Sequence, residues 1–93
     1  MINIEPKYLE IILNILQQYP YEFYVFGSRV KGTNQKFSDL DLCVKKHLSR
    51  REKAKIMQDF DDSKLPITVD LIIWEECSND FKNLIIKDMI QII

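Results

Sequence analysis

The sequence predicts an α/β fold, in which a mixed sheet of about three strands has helices packed against it. Three observations indicate this class. Apolar residues recur at helical spacing after Pro6, β-branched and aromatic residues concentrate in three short runs, and a helix-capping signal separates the second run from the third. The predicted order is therefore helix, strand, short helix, strand, helix, strand, helix.

The first half of the chain supplies two predicted helices and two predicted strands. A helix beginning near Pro6 suits the preference of proline for the first helical position, and the helical pattern stops before Pro20. After it we expect, in order, a strand at 22–26, a short helix at 28–32, a loop at 34–37 and a strand at 39–45.

The second half begins with a strong local signal. Ser49 and Glu52 have the spacing of a capping box, which opens a predicted helix reaching about Phe60. Residues 67–74 are almost continuously apolar and rich in β-branched side chains, which is typical of a strand buried on both faces. Ser78 is a suitable N-cap for a last helix that we expect to run to the C-terminus.

That last predicted helix is apolar over a wide arc. Such a helix at the end of a small domain favours burial of the extra face against another chain, either a protein partner or a second copy. A more deeply buried helix and a frayed tail are the alternatives. The apolar positions form two stripes: Phe81, Leu84, Ile85, Met89 and Ile92, with Ile86, Ile90 and Ile93 beside them.

Length and composition narrow the function classes. The 93 residues predict one domain, and a net charge of −1 argues against a dedicated nucleic-acid-binding surface. No apolar run approaches the ~20 residues of a membrane-spanning helix, and the N-terminus lacks the pattern of a secretory signal. Cys43 and Cys77 have no metal-binding spacing, so two free thiols in a reducing cytoplasm are expected.

The glycines are the most informative residues. The chain has two, Gly27 and Gly32, and both lie in residues 26–32, which read FGSRVKG. A glycine-serine pair between a strand and a short helix presents free backbone N–H groups and a hydroxyl, which suit a phosphate. Ser28 and Gly27 are therefore candidate phosphate-binding residues, while Arg29 and Lys31 either neutralise phosphate charge or are ordinary solvated cations.

Three carboxylates accompany this loop. Asp39 and Asp41 are two residues apart in a predicted strand, so their side chains should share one face. Asp70 lies within the next apolar strand, where a carboxylate is costly unless a cation satisfies it. If the two strands are neighbours, all three can meet at a shared metal, and carboxylate oxygens beside a phosphate loop are typical of magnesium sites.

Together these motifs resemble the nucleotidyltransferase signature of the DNA polymerase beta superfamily. The matching segments are FGSRVKG at 26–32 and SDLDL at 38–42, followed by Asp70, and the resemblance covers essentially the whole chain. The small size is similar to that of minimal nucleotidyltransferases, which include the antitoxins of HEPN–MNT toxin–antitoxin pairs. The resemblance implies a small polymerase beta-like fold over residues 1–93.

The resemblance also implies roles. Gly27 and Ser28 would hold the β- and γ-phosphates, with Arg29 next to them, while Asp39 and Asp41 would bind magnesium. Asp70 would help to bind the catalytic metal and activate the acceptor hydroxyl. The implied reaction transfers AMP from ATP, with two Mg²⁺ ions, to a hydroxyl of a HEPN-type RNase toxin.

Two rival functions remain open at the level of sequence. A binding antitoxin would mask its partner by contact alone, through the apolar C-terminal stripes. A nucleotidyltransferase could also act on a small molecule or on RNA, although no second domain or basic surface is evident for either acceptor.

Overall fold

A computed structural model describes residues 2–93. No helix within that range has both the length and the apolar character needed to cross a bilayer. The helices are α1 (Pro6–Leu16), α2 (Ser28–Lys31), α3 (Arg50–Asp61) and α4 (Asn79–Ile85), with a 3₁₀ turn at Trp74–Glu76; the strands are β1 (Phe23–Phe26), β2 (Leu40–Val44), β3 (Val69–Ile73) and β4 (Ile90–Gln91).

The four strands form one mixed sheet in the order β3-β2-β1-β4. β1 is antiparallel to both of its neighbours, β2 and β4, whereas β2 and β3 are parallel. The parallel pair requires a crossover connection, and α3 supplies it. The α/β class and the order of the first six elements are as predicted.

One face of the sheet carries the main core. Alternate residues of β1, β2 and β3 point to this face and pack against α1 and α3. Ile12 and Leu16 of α1 and Ile56 of α3 are fully buried there. The predicted capping box of α3 is present: the Ser49 hydroxyl accepts from the backbone N–H of Glu52, whose carboxylate accepts from the N–H of Ser49.

The opposite face has a smaller apolar cluster. Phe26, Cys43 and Ile85 are buried in it, and Trp74 and Met89 pack at its margin. α4 covers only part of this face. It leaves the sheet open beside Asp41 of β2 and Asp70 of β3, whose side chains point to the same side. This open area is where the candidate site lies.

The prediction that the third strand is buried on both faces is wrong. Val69, Leu71 and Ile73 are buried, but Asp70 is exposed and Ile72 is half-buried. The physical reason is position, because β3 is an edge strand whose second face is only partly covered. The strand is also shorter than predicted, since Trp74 begins the 3₁₀ turn.

The predicted C-terminal helix is the larger error. α4 ends at Ile85, and the chain turns back to add β4 to the free edge of β1, with Val25 opposite Ile90 and Tyr24 opposite Gln91. Pairing satisfies backbone groups that the edge of β1 would otherwise leave open.

The two stripes proposed for contact with another chain are therefore not helical stripes. Ile92 and Ile93 pack against the main core, and Met89 packs against the smaller cluster. Leu84 and Ile86 remain 63% and 52% exposed. The extended helical surface on which the predicted second copy depended is absent from residues 2–93.

Candidate functional site

The register between β2 and β3 brings two of the predicted carboxylates together. Asp41 and Asp70 are direct partners across the parallel pair, and both belong to the partly open face of the sheet. Neighbouring strands lie about 4.8 Å apart, so the two side chains start from adjacent backbone positions. Asp39 is exposed and lies one residue before β2 begins.

The electrostatics show that all three carboxylates share one neighbourhood. The pKa of Asp41 is raised above its ordinary value, first by burial, then by the negative charge of Asp70, and then by that of Asp39. Within residues 2–93, no cation pairs with any of the three, and no side-chain hydrogen bond holds them. The cluster is therefore an uncompensated concentration of negative charge.

Gly27 lies directly against this cluster. Its φ of 82° and ψ of −152° fall in a region of backbone space that is essentially restricted to glycine. A Cβ atom built at this position would lie 2.5 Å from Oδ2 of Asp41. The absence of a side chain therefore lets the Asp41 carboxylate lie directly against the loop.

Beyond Gly27, the loop presents backbone donors. The Gly27 carbonyl accepts from the N–H groups of Val30 and Lys31, which closes the first turn of α2. The N–H groups of Ser28 and Arg29 donate to no protein acceptor among the described residues, as expected for the start of a helical turn. These two donors and the Ser28 hydroxyl are suited to an anionic oxygen.

Arg29 does not lie where the sequence prediction put it. Its side chain is only 4% exposed. The guanidinium donates to three backbone carbonyls: Nε and Nη2 reach that of Ser38 at 3.1 and 2.8 Å, Nη1 reaches that of Asn3 at 2.9 Å, and Nη2 reaches that of Lys36 at 3.1 Å. Arg29 thus ties the glycine loop to the segment that carries Asp39, and its side-chain donors are used in doing so.

Lys31 also has a protein partner. Its ammonium lies 3.8 Å from Oδ2 of Asp88, in the segment after α4. Neither Arg29 nor Lys31 pairs with Asp70, so this loop does not supply the cation that the sequence predicted to satisfy that carboxylate. Sequence reasoning also missed Asn3 and Ser38 as supports of the loop, because a backbone carbonyl acceptor leaves no mark on residue type.

The carboxylates of Asp39, Asp41 and Asp70 are suitable ligands for magnesium, although their side chains do not converge on one point. Among residues 2–93, no three His, Cys, Asp or Glu side chains converge as a metal-binding group. Asp39 and Asp70 are exposed and unrestrained by hydrogen bonds, however, and they flank Asp41, whose pKa is raised by burial and then by the negative charges of Asp70 and Asp39. Oxygen donors in an acidic cluster match the preferences of Mg²⁺.

Comparison with known proteins identifies similar sequences. Residues 10–93 match the family described as "Polymerase beta, Nucleotidyltransferase". The chain is also 39% identical over 90 residues to "Probable protein adenylyltransferase MntA" of Haemophilus influenzae. The aligned region covers 92% of this chain and 79% of that relative.

Two solved structures have the same fold. One is a toxin–antitoxin crystal structure with AMP-PNP, which superposes with a TM-score of 0.73 at 23% identity. The superposition covers 91% of this chain and 72% of the other chain. The other is a tri-AMPylated Shewanella oneidensis HEPN toxin in complex with MNT antitoxin, with a TM-score of 0.68 and 21% identity. That superposition covers 94% of this chain and 70% of the other chain. At these identities, the likeness establishes the fold.

Proposed function

Because the chain belongs to the polymerase beta nucleotidyltransferase family, we propose that it is a Mg²⁺-dependent protein adenylyltransferase. It transfers AMP from ATP to a hydroxyl of a HEPN-type toxin and so acts as an antitoxin in the cytoplasm. Residues 1–93 form a single minimal nucleotidyltransferase domain. The observation that carries the proposal is the approach of Gly27 to Asp41, which places the glycine loop and its free backbone donors directly beside the acidic cluster.

The relatives support the choice of reaction and partner. The Haemophilus influenzae protein is named as a protein adenylyltransferase, and the Shewanella oneidensis toxin bound to its antitoxin carries AMP groups. An ATP analogue accompanies another toxin–antitoxin pair of the same fold. These features favour ATP as the donor and a protein hydroxyl as the acceptor.

Each candidate residue has a role in this reaction. The N–H groups of Ser28 and Arg29 and the Ser28 hydroxyl bind the β- and γ-phosphates, while Gly27 lets those phosphates approach the sheet. Asp39, Asp41 and Asp70 hold magnesium. When bound, the metal supplies positive charge that offsets both the triphosphate and the carboxylates, and family members commonly use two such ions.

The transfer step is an in-line displacement. The acceptor oxygen forms a bond to the α-phosphorus while the bond from that phosphorus to the bridging oxygen breaks, so pyrophosphate leaves and AMP remains on the acceptor. Asp70, exposed on the edge strand, accepts the hydroxyl proton. Arg29 is a positioning residue, because its bonds to carbonyls fix the loop relative to β2.

The test is transfer of label from α-³²P-ATP to a co-expressed or added HEPN toxin in the presence of Mg²⁺. We expect labelling by the wild type and none by the Asp39→Asn/Asp41→Asn double variant. Absence of transfer from every nucleoside triphosphate would overturn the enzymatic proposal. If the double variant neutralised the toxin as well as wild type does, the mechanism would be masking by contact, for which the exposed Leu84 and Ile86 supply an apolar surface.

A further inference from the structure

A second feature adjoins the phosphate loop on the open face of the sheet. A groove of about 180 Å³ is bordered by Gly27 and by residues of α4. We refer to it as the α4 groove. Its lining residues are Phe26, Gly27, Lys31, Phe81, Leu84, Ile85 and Asp88.

The walls of the α4 groove are apolar and include an accessible aromatic ring. Phe26 and Ile85 are buried, while Phe81 and Leu84 are 37% and 63% exposed. The Phe81 ring stands edge-on to the Phe26 ring, at 86° and with centroids 6.1 Å apart, which holds it in place. An aromatic ring held in this way, with the aliphatic Leu84 lining the same groove, is suited to a flat aromatic ligand.

The α4 groove has few polar side chains. Among its lining residues, Lys31 and Asp88 alone carry polar side chains, and they pair with each other at 3.8 Å. Both side chains are partly exposed to solvent, so this pair does not supply the fixed hydrogen-bond pattern needed to read the edge of a base. Sites without such a pattern discriminate weakly between ligands of similar shape.

We propose that the α4 groove binds the nucleoside part of the triphosphate, with Phe81 and Leu84 contacting the base. This inference rests on the proposed function, since the phosphates lie at Gly27, which also lines the groove. Stacking area favours purines over pyrimidines. ATP and GTP bind with similar affinity, because no fixed polar side chain of the groove distinguishes them.

The experiment measures direct binding by calorimetry with Mg²⁺ present. The ligands are ATP, GTP, CTP and inorganic tripolyphosphate, and the variants are Phe81→Ala and Leu84→Ala. Ile86→Ala is the matched control, because Ile86 is a comparably exposed apolar residue next to α4 that does not line the groove.

We expect the wild type to bind ATP and GTP within about threefold of each other and to bind CTP more weakly. Loss of base stacking is worth about 1–3 kcal/mol, so Phe81→Ala should weaken ATP binding at least about fivefold. Tripolyphosphate binding should stay within about twofold of wild type, because the phosphate loop is unchanged. Ile86→Ala should alter neither ligand.

The outcomes separate this inference from the proposed function. If neither ATP nor tripolyphosphate binds, the nucleotidyltransferase proposal fails and the inference falls with it. If ATP binds but is indifferent to Phe81→Ala and Leu84→Ala, or binds no tighter than tripolyphosphate, the inference alone is overturned. Should Phe81→Ala fail to fold, Leu84→Ala decides by the same criteria, since Leu84 is largely exposed.

Discussion

Gly27→Ala should damage the site more than it damages the fold. The backbone at Gly27 has a φ of 82° and a ψ of −152°, a glycine-only region that costs an L-residue about 1–3 kcal/mol. For a domain of this size each kcal/mol lowers Tm by roughly 4–8 °C, so we expect a fall of several degrees or more.

The functional cost comes from the new methyl group. It would lie 2.5 Å from Oδ2 of Asp41, and ordinary contact begins at 3.4 Å, so the carboxylate must retreat by about 1 Å. Moving a flexible side chain is cheap for stability, but a displacement of about 1 Å in an active site can cost roughly 10²-fold in rate. We therefore expect AMP transfer by Gly27→Ala to fall about 100-fold.

Gly32→Ala is the matched control for backbone strain. Gly32 has a φ of 78°, and a Cβ atom there would meet nothing within 4 Å. Its cost is the left-handed backbone alone, about 1–2 kcal/mol, so Tm should fall while transfer persists below the melting range. The assays are thermal denaturation followed by circular dichroism and labelling at a temperature where both variants are folded. Equal transfer rates for the two variants would show that the approach of Gly27 to Asp41 is not part of the site.

Further predictions concern the carboxylates, the buried arginine and the thiols. Asp70→Asn should abolish transfer and reduce the rise in Tm that Mg²⁺–ATP gives wild type, while leaving Tm in chelator equal or higher; an undiminished ligand-induced rise would place Asp70 outside the metal site. The raised pKa of Asp41 means that the native state binds its proton more tightly than the unfolded state does. In chelator, stability should therefore fall as pH rises from the ordinary value of 3.8 through the raised one, and Asp41→Asn should flatten that part of a pH titration of Tm. Arg29→Lys should lose about 2 kcal/mol or more, measured by urea unfolding, because an ammonium cannot reproduce the forked bonds to carbonyls; a change below about 0.5 kcal/mol would contradict the supporting role. Burial raises the pKa of Cys43 to about 11, so iodoacetamide at pH 8 should alkylate Cys77 and spare Cys43, as mass spectrometry of the peptides would reveal.

Local signals in the sequence predicted local structure well. The capping box at Ser49 and Glu52 involves atoms only three residues apart, so the sequence contains all that is needed to recognise it. The glycine turn between β1 and α2 is of the same kind, because the positive φ of Gly27 is a property of one residue. These elements were placed to within one or two residues.

Features that depend on distant partners were missed. β4 exists because its backbone pairs with β1, which lies 65 to 67 positions earlier in the chain. Residues 81–92 also match helical spacing, which hides the strand in the sequence. The available signal was the alternation of Ile90, Gln91 and Ile92 among β-branched residues. Arg29 is a similar case. A cation beside a phosphate loop predicts contact with phosphate, but the guanidinium of Arg29 donates to backbone carbonyls of two other segments.

The sequence predicted that the carboxylates would meet if the second and third strands were neighbours. The register of the parallel pair between β2 and β3 fulfils that condition. Leu40 lies opposite Val69 and Leu42 opposite Leu71, and all four are buried in the main core. Because side chains alternate between faces, burying these residues forces the intervening Asp41 and Asp70 onto the other face.

A slip of one residue in β3 would turn Asp70 into the core and expose Val69 and Leu71, at the cost of burying an unpaired charge. The hydrophobic core therefore selects the same register that brings Asp41 and Asp70 together. Repulsion between them is a cost of that arrangement, and it adds to burial in raising the pKa of Asp41. Each apolar contact that fixes β3 against β2 thus also holds two like charges together, which is the condition under which a divalent cation binds most favourably.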